Sequence, residues 1–286
     1  MKKIISILTA VALVAFLIYG ITFQKKAIPV EKPGKVIATP GYERYFGAAP
    51  PSDKGTSYAF VIFFPSAKSP GKVVPFPFFS FDEASLEKVA VERLLGGMDI
   101  GSYQGEFTPF PGGVHLIAIN DNQGIVTVNF SKELDKSTGA SMASALALTL
   151  RQFQGVKDVR LLVEGKESPL SALVKIAADS AAQEPSPPRL LSVTAMKEKG
   201  DKNIADVNAF FDRPVEVKEL KLLAKDGQPF AGDVYHSVFD MAAVLKPKDP
   251  SQFKARMPIR VHWKVADKLG RQAEGDSVWP LEVKEH

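Results

Sequence analysis

Apolar and polar positions change their period repeatedly between Pro111 and Lys166, and each change marks an element. Val126, Val128 and Phe130 alternate with Thr127 and Asn129, the two-residue period of a half-buried strand. Just before it, Asp121-Asn122-Gln123-Gly124 supplies the Asn and Gly that a hairpin connection needs for positive φ. The period then lengthens. Met142, Ala145, Leu146, Thr149, Leu150 and Phe153 fall on one helical face, with Ser137 or Thr138 as N-cap and Gly155 just past the end. Phe153 is expected in the core, against the Val126–Val128–Phe130 face. Val159, Leu161 and Val163 alternate again.

Upstream, Tyr58 to Phe64 is a continuous apolar run and reads as a buried strand. The segment Pro75 to Phe81 (PFPFFSF) reads as an exposed aromatic loop, with Phe76, Phe78 and Phe79 as a candidate contact patch or, equally, as packing under the next helix. Ser80-Phe81-Asp82-Glu83 fits a capping box, and Leu86, Val89, Ala90 and Leu94 form the buried stripe of a helix that Gly96-Gly97 ends. The order β-α-β-β-α-β predicts two helices on one face of a small sheet with a free edge strand. Ser168-Pro169 caps a further short helix through Ala178.

Ala181 to Arg189 (AAQEPSPPR) reads as a stiff linker, and from Leu190 onward the pattern is all-β. Strands are expected over 191–194, 204–211, 215–223, 234–239, 259–265 and 278–283, with turns at Asp226-Gly227 and Leu269-Gly270. Ile259, Val261, Trp263 and Val265 alternate with Arg260, His262 and Lys264, so one face is core. About 100 residues with a buried tryptophan predict an immunoglobulin-type β-sandwich.

At the other end, Lys2 and Lys3 precede an uncharged run from Ile4 to Phe23. At ~1.5 Å per residue, ~20 apolar residues just span the ~30 Å hydrocarbon layer, and the run exceeds the ~7–15-residue core of a cleavable signal. The expectation is an uncleaved membrane anchor with the bulk of the chain extracytoplasmic. Prolines at 29, 33, 40, 50 and 51 make 27–56 a spacer, in which Tyr42, Tyr45 and Phe46 read either as a docking point for a partner or, the favoured reading, as packing on the adjacent domain. The expected fold class is therefore α+β: anchor (1–26), spacer (27–56), small α+β domain (57–180), linker (181–189) and sandwich (190–286).

The chain of 286 residues has a formal charge of +4, spread along the sequence, which speaks against nucleic-acid binding. It contains no cysteine, which excludes disulfides, thiolate metal sites, cysteine nucleophiles and a lipoprotein anchor.

The central stretch resembles the GerM domain, the sporulation and spore-germination module. The likeness rests on Pro111-Gly112 before the hairpin, on Thr149-Leu150, Phe153 and Gly155-Val156 at the helix end, and on Glu164-Gly165-Lys166 after the strand. Val91-Glu92-Arg93-Leu94-Leu95-Gly96-Gly97 is similar to that family's first helix and glycine stop. The resemblance covers roughly residues 57 to 167. It implies an exported protein that works in protein–protein assembly, since GerM domains resemble ring-building modules of spore-envelope secretion assemblies. Phe211-Asp212-Arg213-Pro214-Val215 and Val261-His262-Trp263-Lys264-Val265 resemble bacterial CopC-like domains. In that family copper binding relies on early histidines and a late Asp-x-His. Here Leu191-Ser192 and Asp267-Lys268-Leu269 stand instead, so those ligands do not carry over.

Little else suggests chemistry. His115, His236, His262 and His286 show no metal-ligand spacing. Ser141 in Gly139-Ala140-Ser141-Met142-Ala143 lacks both the preceding strand and the second glycine of a nucleophile elbow. No catalytic residue, metal or cofactor is expected, and the chain reads as non-enzymatic. Expected partners are envelope or membrane proteins, further copies of the chain, the membrane through residues 4–23, and peptidoglycan. The competing class is copper or small-ligand handling through the sandwich, with His236 and His262 as its donors.

Overall fold

The structure, a computed structural model, describes residues 34–53, 55–136, 139–201 and 203–285. The expected anchor over 4–23, the Ser137/Thr138 cap and His286 lie outside the described residues. Among those described, no helix is long and apolar enough to cross a membrane.

The first domain contains ten elements: β1 (Lys35–Ala38), α1 (Pro40–Phe46), β2 (Thr56–Pro65), β3 (Val73–Ser80), α2 (Leu86–Gly96), β4 (Leu116–Asn122), β5 (Ile125–Phe130), α3 (Ala140–Arg151), β6 (Asp158–Val163) and α4 (Pro169–Ile176). They build two three-stranded sheets, β1-β2-β3 and β4-β5-β6, where one sheet was expected. Helix α3 serves both. Every residue from Met142 to Leu150 is buried, a helix covered all round as only a central layer can be. Its alanines at 143, 145 and 147 permit close neighbours on the faces a simple amphipathic stripe would leave wet.

β1 pairs with β2 in parallel only over Thr56–Ala59, which leaves the rest of that β2 edge without a strand. Side chains of α3 and its C-cap take over. The Val61 amide donates to Gln152 Oε1 at 2.7 Å, Gln152 Nε2 donates back to the Val61 carbonyl, and the Phe63 amide donates to Thr149 Oγ1 at 3.1 Å. A helix thus completes a sheet edge that would otherwise hold orphaned, buried backbone groups.

Several local expectations are corrected. The PFPFFSF segment is not a loop: Val73–Ser80 is strand β3, antiparallel to β2. Its prolines survive there because β3 is an edge strand of its sheet, where a missing N–H is tolerated. The Ser80/Glu83 capping box does not form either. Helix α2 begins six residues beyond the expected cap, at Leu86, and Ser80 Oγ instead accepts from the Asp82 amide at 3.1 Å. The spacer expected over 27–56 is corrected from Gly34 onward, because Lys35–Ala38 is a strand and Thr39, accepting from the Tyr42 amide, caps α1. Tyr42, Tyr45 and Phe46 are buried, as their packing reading required. The 121–124 turn forms as expected. Gly124 has φ 88°, and a Cβ there would lie 2.4 Å from the Gly155 carbonyl oxygen, so no other residue fits.

The second domain is formed by β7 (Leu190–Lys197), β8 (Asp206–Phe211), β9 (Val215–Leu223), β10 (Gly232–His236), β11 (Ala242–Pro247), β12 (Pro258–Asp267), β13 (Gln272–Pro280) and β14 (Glu282–Glu285). Its sheets run β10-β11-β8-β7-β14 and β13-β12-β9. They enclose one core, in which Trp263 meets Phe211 edge-on at 5.4 Å. The single strand expected over 278–283 is two. The chain leaves β12's partner β13, buries Leu281, and joins β7 in the other sheet as β14.

Candidate functional site

Gly34–His286 forms one compact unit, and a dense set of polar and aromatic contacts stands at the junction of the two domains. Three turns from one end of the sandwich meet the first domain there: Asp212–Arg213 between β8 and β9, Phe239–Asp240 between β10 and β11, and Asp267–Arg271 between β12 and β13.

Asp212 is the centre. Its Oδ2 accepts from the Tyr103 hydroxyl and from Arg213 Nη2, both at 2.8 Å, while Oδ1 accepts from the Arg189 amide at 3.1 Å and from Arg213 Nε at 3.0 Å. Both Asp212 and Arg213 are buried, so each charge is tolerable only because the other is present. Arg213 Nη1 stands 3.6 Å from Asp267, which also takes Nε of Arg271 at 2.6 Å. Arg271 Nη2 then donates to the Tyr45 carbonyl at the end of α1, at 2.6 Å. On the other flank Arg189 lies over the Tyr103 ring and bonds Glu106 at 2.9 Å.

Ionisation follows this arrangement. Burial first, then the Asp212 carboxylate, push the Tyr103 phenol far above its ordinary range. Burial opposes charge on Glu106, yet hydrogen bonds from Lys68 and Arg189 prevail and hold its carboxyl below the usual value. For Arg213 burial likewise opposes the charge, and the Asp212 carboxylate overrides it to keep the guanidinium protonated.

Apolar contacts accompany the charges. Phe239 stacks on Phe79 at 4.3 Å with the rings 4° from parallel, and both Phe239 and Asp240 hold positive φ (62° and 53°) to place it. Two successive non-glycine residues in that region are strained, and the stacking against the first domain helps hold them. Gly101, at φ 54°, lies so near β7 that a Cβ would stand 2.0 Å from the Leu191 carbonyl oxygen.

The three candidate contact residues are not a free patch. Phe76 is buried among Phe64, Tyr103 and Phe107; Phe78 packs on Phe60 under Arg93; Phe79 is half-buried between Tyr42 and Phe239. Only Phe81, beyond the strand, stands 63% exposed. The junction itself was missed by sequence reading. Its signal was a run of buried-type motif positions, Phe-Asp-Arg-Pro, carrying two opposite charges side by side.

Among the described residues, no group of three or more His, Asp or Glu side chains is placed to hold a metal. His236 is on β10 and His262 on β12, in different sheets, so the two proposed copper donors are not a pair. His262 sits between Glu219 at 3.8 Å and Asp276 at 3.7 Å, while Arg260 already forks onto Asp276. Ser141 lies half-buried in the first turn of α3, without a histidine partner among the described residues.

One concavity is large. A cleft of about 760 Å³ opens between β1, β2, the start of α2 and the end of α3. Ile37, Phe60, Leu86 and Phe153 provide its apolar lining, and Tyr58, Glu83, Glu87, Arg151 and Gln152 its polar groups.

The family model Germane, described as sporulation and spore germination, matches residues 61–169. The chain carries a GerM-family domain. The match starts within β2, ends at the first residue of α4, and leaves the sandwich outside. In structure the chain is similar to the first GerMN domain of the sporulation protein GerM from Bacillus subtilis, at 20% identity over 38% of this chain and 84% of that one, with a TM-score of 0.32. The tandem GerMN domains of the same protein match at 14% identity over 61% of this chain and 58% of that one, TM-score 0.33. CopC from Methylosinus trichosporium OB3b matches at 14% identity over 33% of this chain and 89% of that one, TM-score 0.23. No curated protein matches the sequence. What surrounds the GerM-family domain here is β1 and α1 on one side and the docked sandwich on the other.

Proposed function

We propose that this protein is a non-enzymatic, membrane-anchored and extracytoplasmic envelope protein in which the GerM-family domain and an immunoglobulin-like sandwich act as one rigid module of protein–protein assembly, in sporulation or spore germination. The junction carries this reading. Its ionisable groups with buried side chains are spent on each other, fixing one domain against the other rather than facing a substrate. A rigid pair presents two surfaces at a set angle, which lowers the ordering cost of binding a large partner. The anchor rests on the uncharged run Ile4–Phe23 behind two lysines. Confinement at a membrane raises effective concentration, so modest contacts suffice.

The contact surface favoured is the edge of the β4-β5-β6 sheet, where Ile117 on β4 stands 47% exposed and the outer side of β4 lacks a partner strand among the described residues. Photo-crosslinkers placed at Ile117 and Asn120 in cells are expected to give links to further copies or to another envelope protein. Intramolecular links alone, with a monomeric protein at high concentration, overturn the assembly reading.

A further inference from the structure

The cleft beside β1 has a charge pattern that assembly does not use. Glu83 and Glu87 line one wall, and among the described residues neither is paired with a basic side chain. Glu83 instead accepts from the Tyr58 hydroxyl, which pushes the phenol's pKa above its ordinary value. Arg151 is the one cation among the lining residues, and its guanidinium is already committed: Nη1 donates to the Ala177 carbonyl at 2.6 Å, and Nη2 to the carbonyls of Val174 at 2.8 Å and Lys175 at 3.3 Å. The N-terminus of α2 adds about half a positive charge and the C-terminus of α3 about half a negative one, so these two cancel. Two carboxylates against one engaged guanidinium leave the cleft negative. Its floor is apolar, because Ala59 and Phe60 of β2 and Phe153 after α3 are buried beneath it while Ile37 on β1 stays 40% exposed at the rim.

A negative wall above an apolar floor suits a cation carried on an aliphatic stem. We propose that this cleft binds a lysine or arginine side chain of an extended peptide segment in a partner protein, the stem lying along Ile37, Leu86 and Phe153 and the charged head against Glu83 and Glu87. Long basic side chains bury their methylenes in this way while keeping the head near water or an acceptor. Glu87 also lies in the first turn of α2, where it complements the helix dipole. Glu83 precedes the helix and has no such duty.

The test uses the full chain in detergent micelles with defined peptides: acetyl-Leu-Lys-Val-amide, the same peptide with norleucine in place of lysine, and the same with glutamate. Calorimetry gives affinity, and methyl NMR of Ile37 and Leu86 gives location. The lysine peptide is expected to bind, with shifts at both methyls, and the Glu83→Gln/Glu87→Gln double variant to weaken it about tenfold. A Glu216→Gln variant, on the distant β9 strand, is expected to bind as wild type. Equal affinity for the norleucine peptide, an unchanged affinity in a double variant that melts normally, or shifts confined to the sandwich each overturn the proposal. If the double variant melts lower, the single Glu83→Gln variant decides: it must still lose affinity for the lysine peptide. Because the readout is a soluble peptide, its failure leaves the crosslinking result untouched, and the reverse.

Discussion

At the scale of single residues, Asp212 shows what a buried charge requires. Its two oxygens accept from Tyr103, Arg189 and twice from Arg213. Asp212→Ala removes the counter-charge from a buried guanidinium and is expected to cost ~3–5 kcal/mol, whereas Tyr103→Phe deletes one donor and is expected to cost ~1–3 kcal/mol. Urea unfolding of the two variants, compared with wild type, checks both values. Glu106 supplies a pH signature. Its folded carboxyl titrates below the ordinary 4.5, so its contribution is present above that value and is lost as pH falls through the folded one. Melting of wild type and Glu106→Gln should therefore differ at pH 7 and converge toward pH 3. Convergence at high pH instead means the sign is wrong.

At the scale of elements, α3 does two jobs that sequence periodicity conflates. Met142 to Leu150 form a buried layer, and Thr149 and Gln152 end the helix by pairing with the backbone of β2. Gln152→Ala leaves the Val61 N–H and carbonyl without partners in the core, for an expected loss of roughly 2–4 kcal/mol. Faster hydrogen exchange at the Val61 amide than at Val128 is the specific readout. Phe153 is in the core as its helical phase implies, but the ring it meets is Phe60 of β2, at 5.5 Å. Phe153→Ala is expected to lower stability by ~3–5 kcal/mol. A melting temperature within a degree or two of wild type contradicts that packing.

At the scale of the molecule, the domains are joined by α1, a segment that composition alone presents as spacer. Tyr45 offers its carbonyl to Arg271, Phe46 lies under Arg213, and Gly47 sits within about 3.1 Å of Lys268 for any added Cβ. Domain interfaces of small, polar character usually leave relative motion. A buried ion network shared by both partners removes it here. Described residues 34–285 should unfold in one calorimetric transition, and Asp212→Ala should separate it into two. Two transitions already in wild type would mean that the junction does not couple the domains.

Sequence alone determined the features set by neighbours a few positions apart. Alternation at 126–130, 159–163 and 259–265 fixed strand faces, and the turn at 121–124 was written in Asp and Gly. The motif positions at 111–112, 149–156 and 164–166 identified the family, because they are structural residues in a fixed order. The capping box failed because nearby groups made other bonds: Ser80 Oγ accepts from the Asp82 amide, and Asp82 accepts from the Ala84 amide and the Ser85 hydroxyl. The aromatic run at 75–81 misled for a different reason. Prolines disfavour strands in general, and only the position of β3 at a sheet edge makes them acceptable. β11 was unread because Ala242 to Leu245 are all buried, which erases alternation. The junction and the cleft were illegible for the same physical cause: their residues stand up to 226 positions apart, and nothing local records which charge will find which partner once both are out of water.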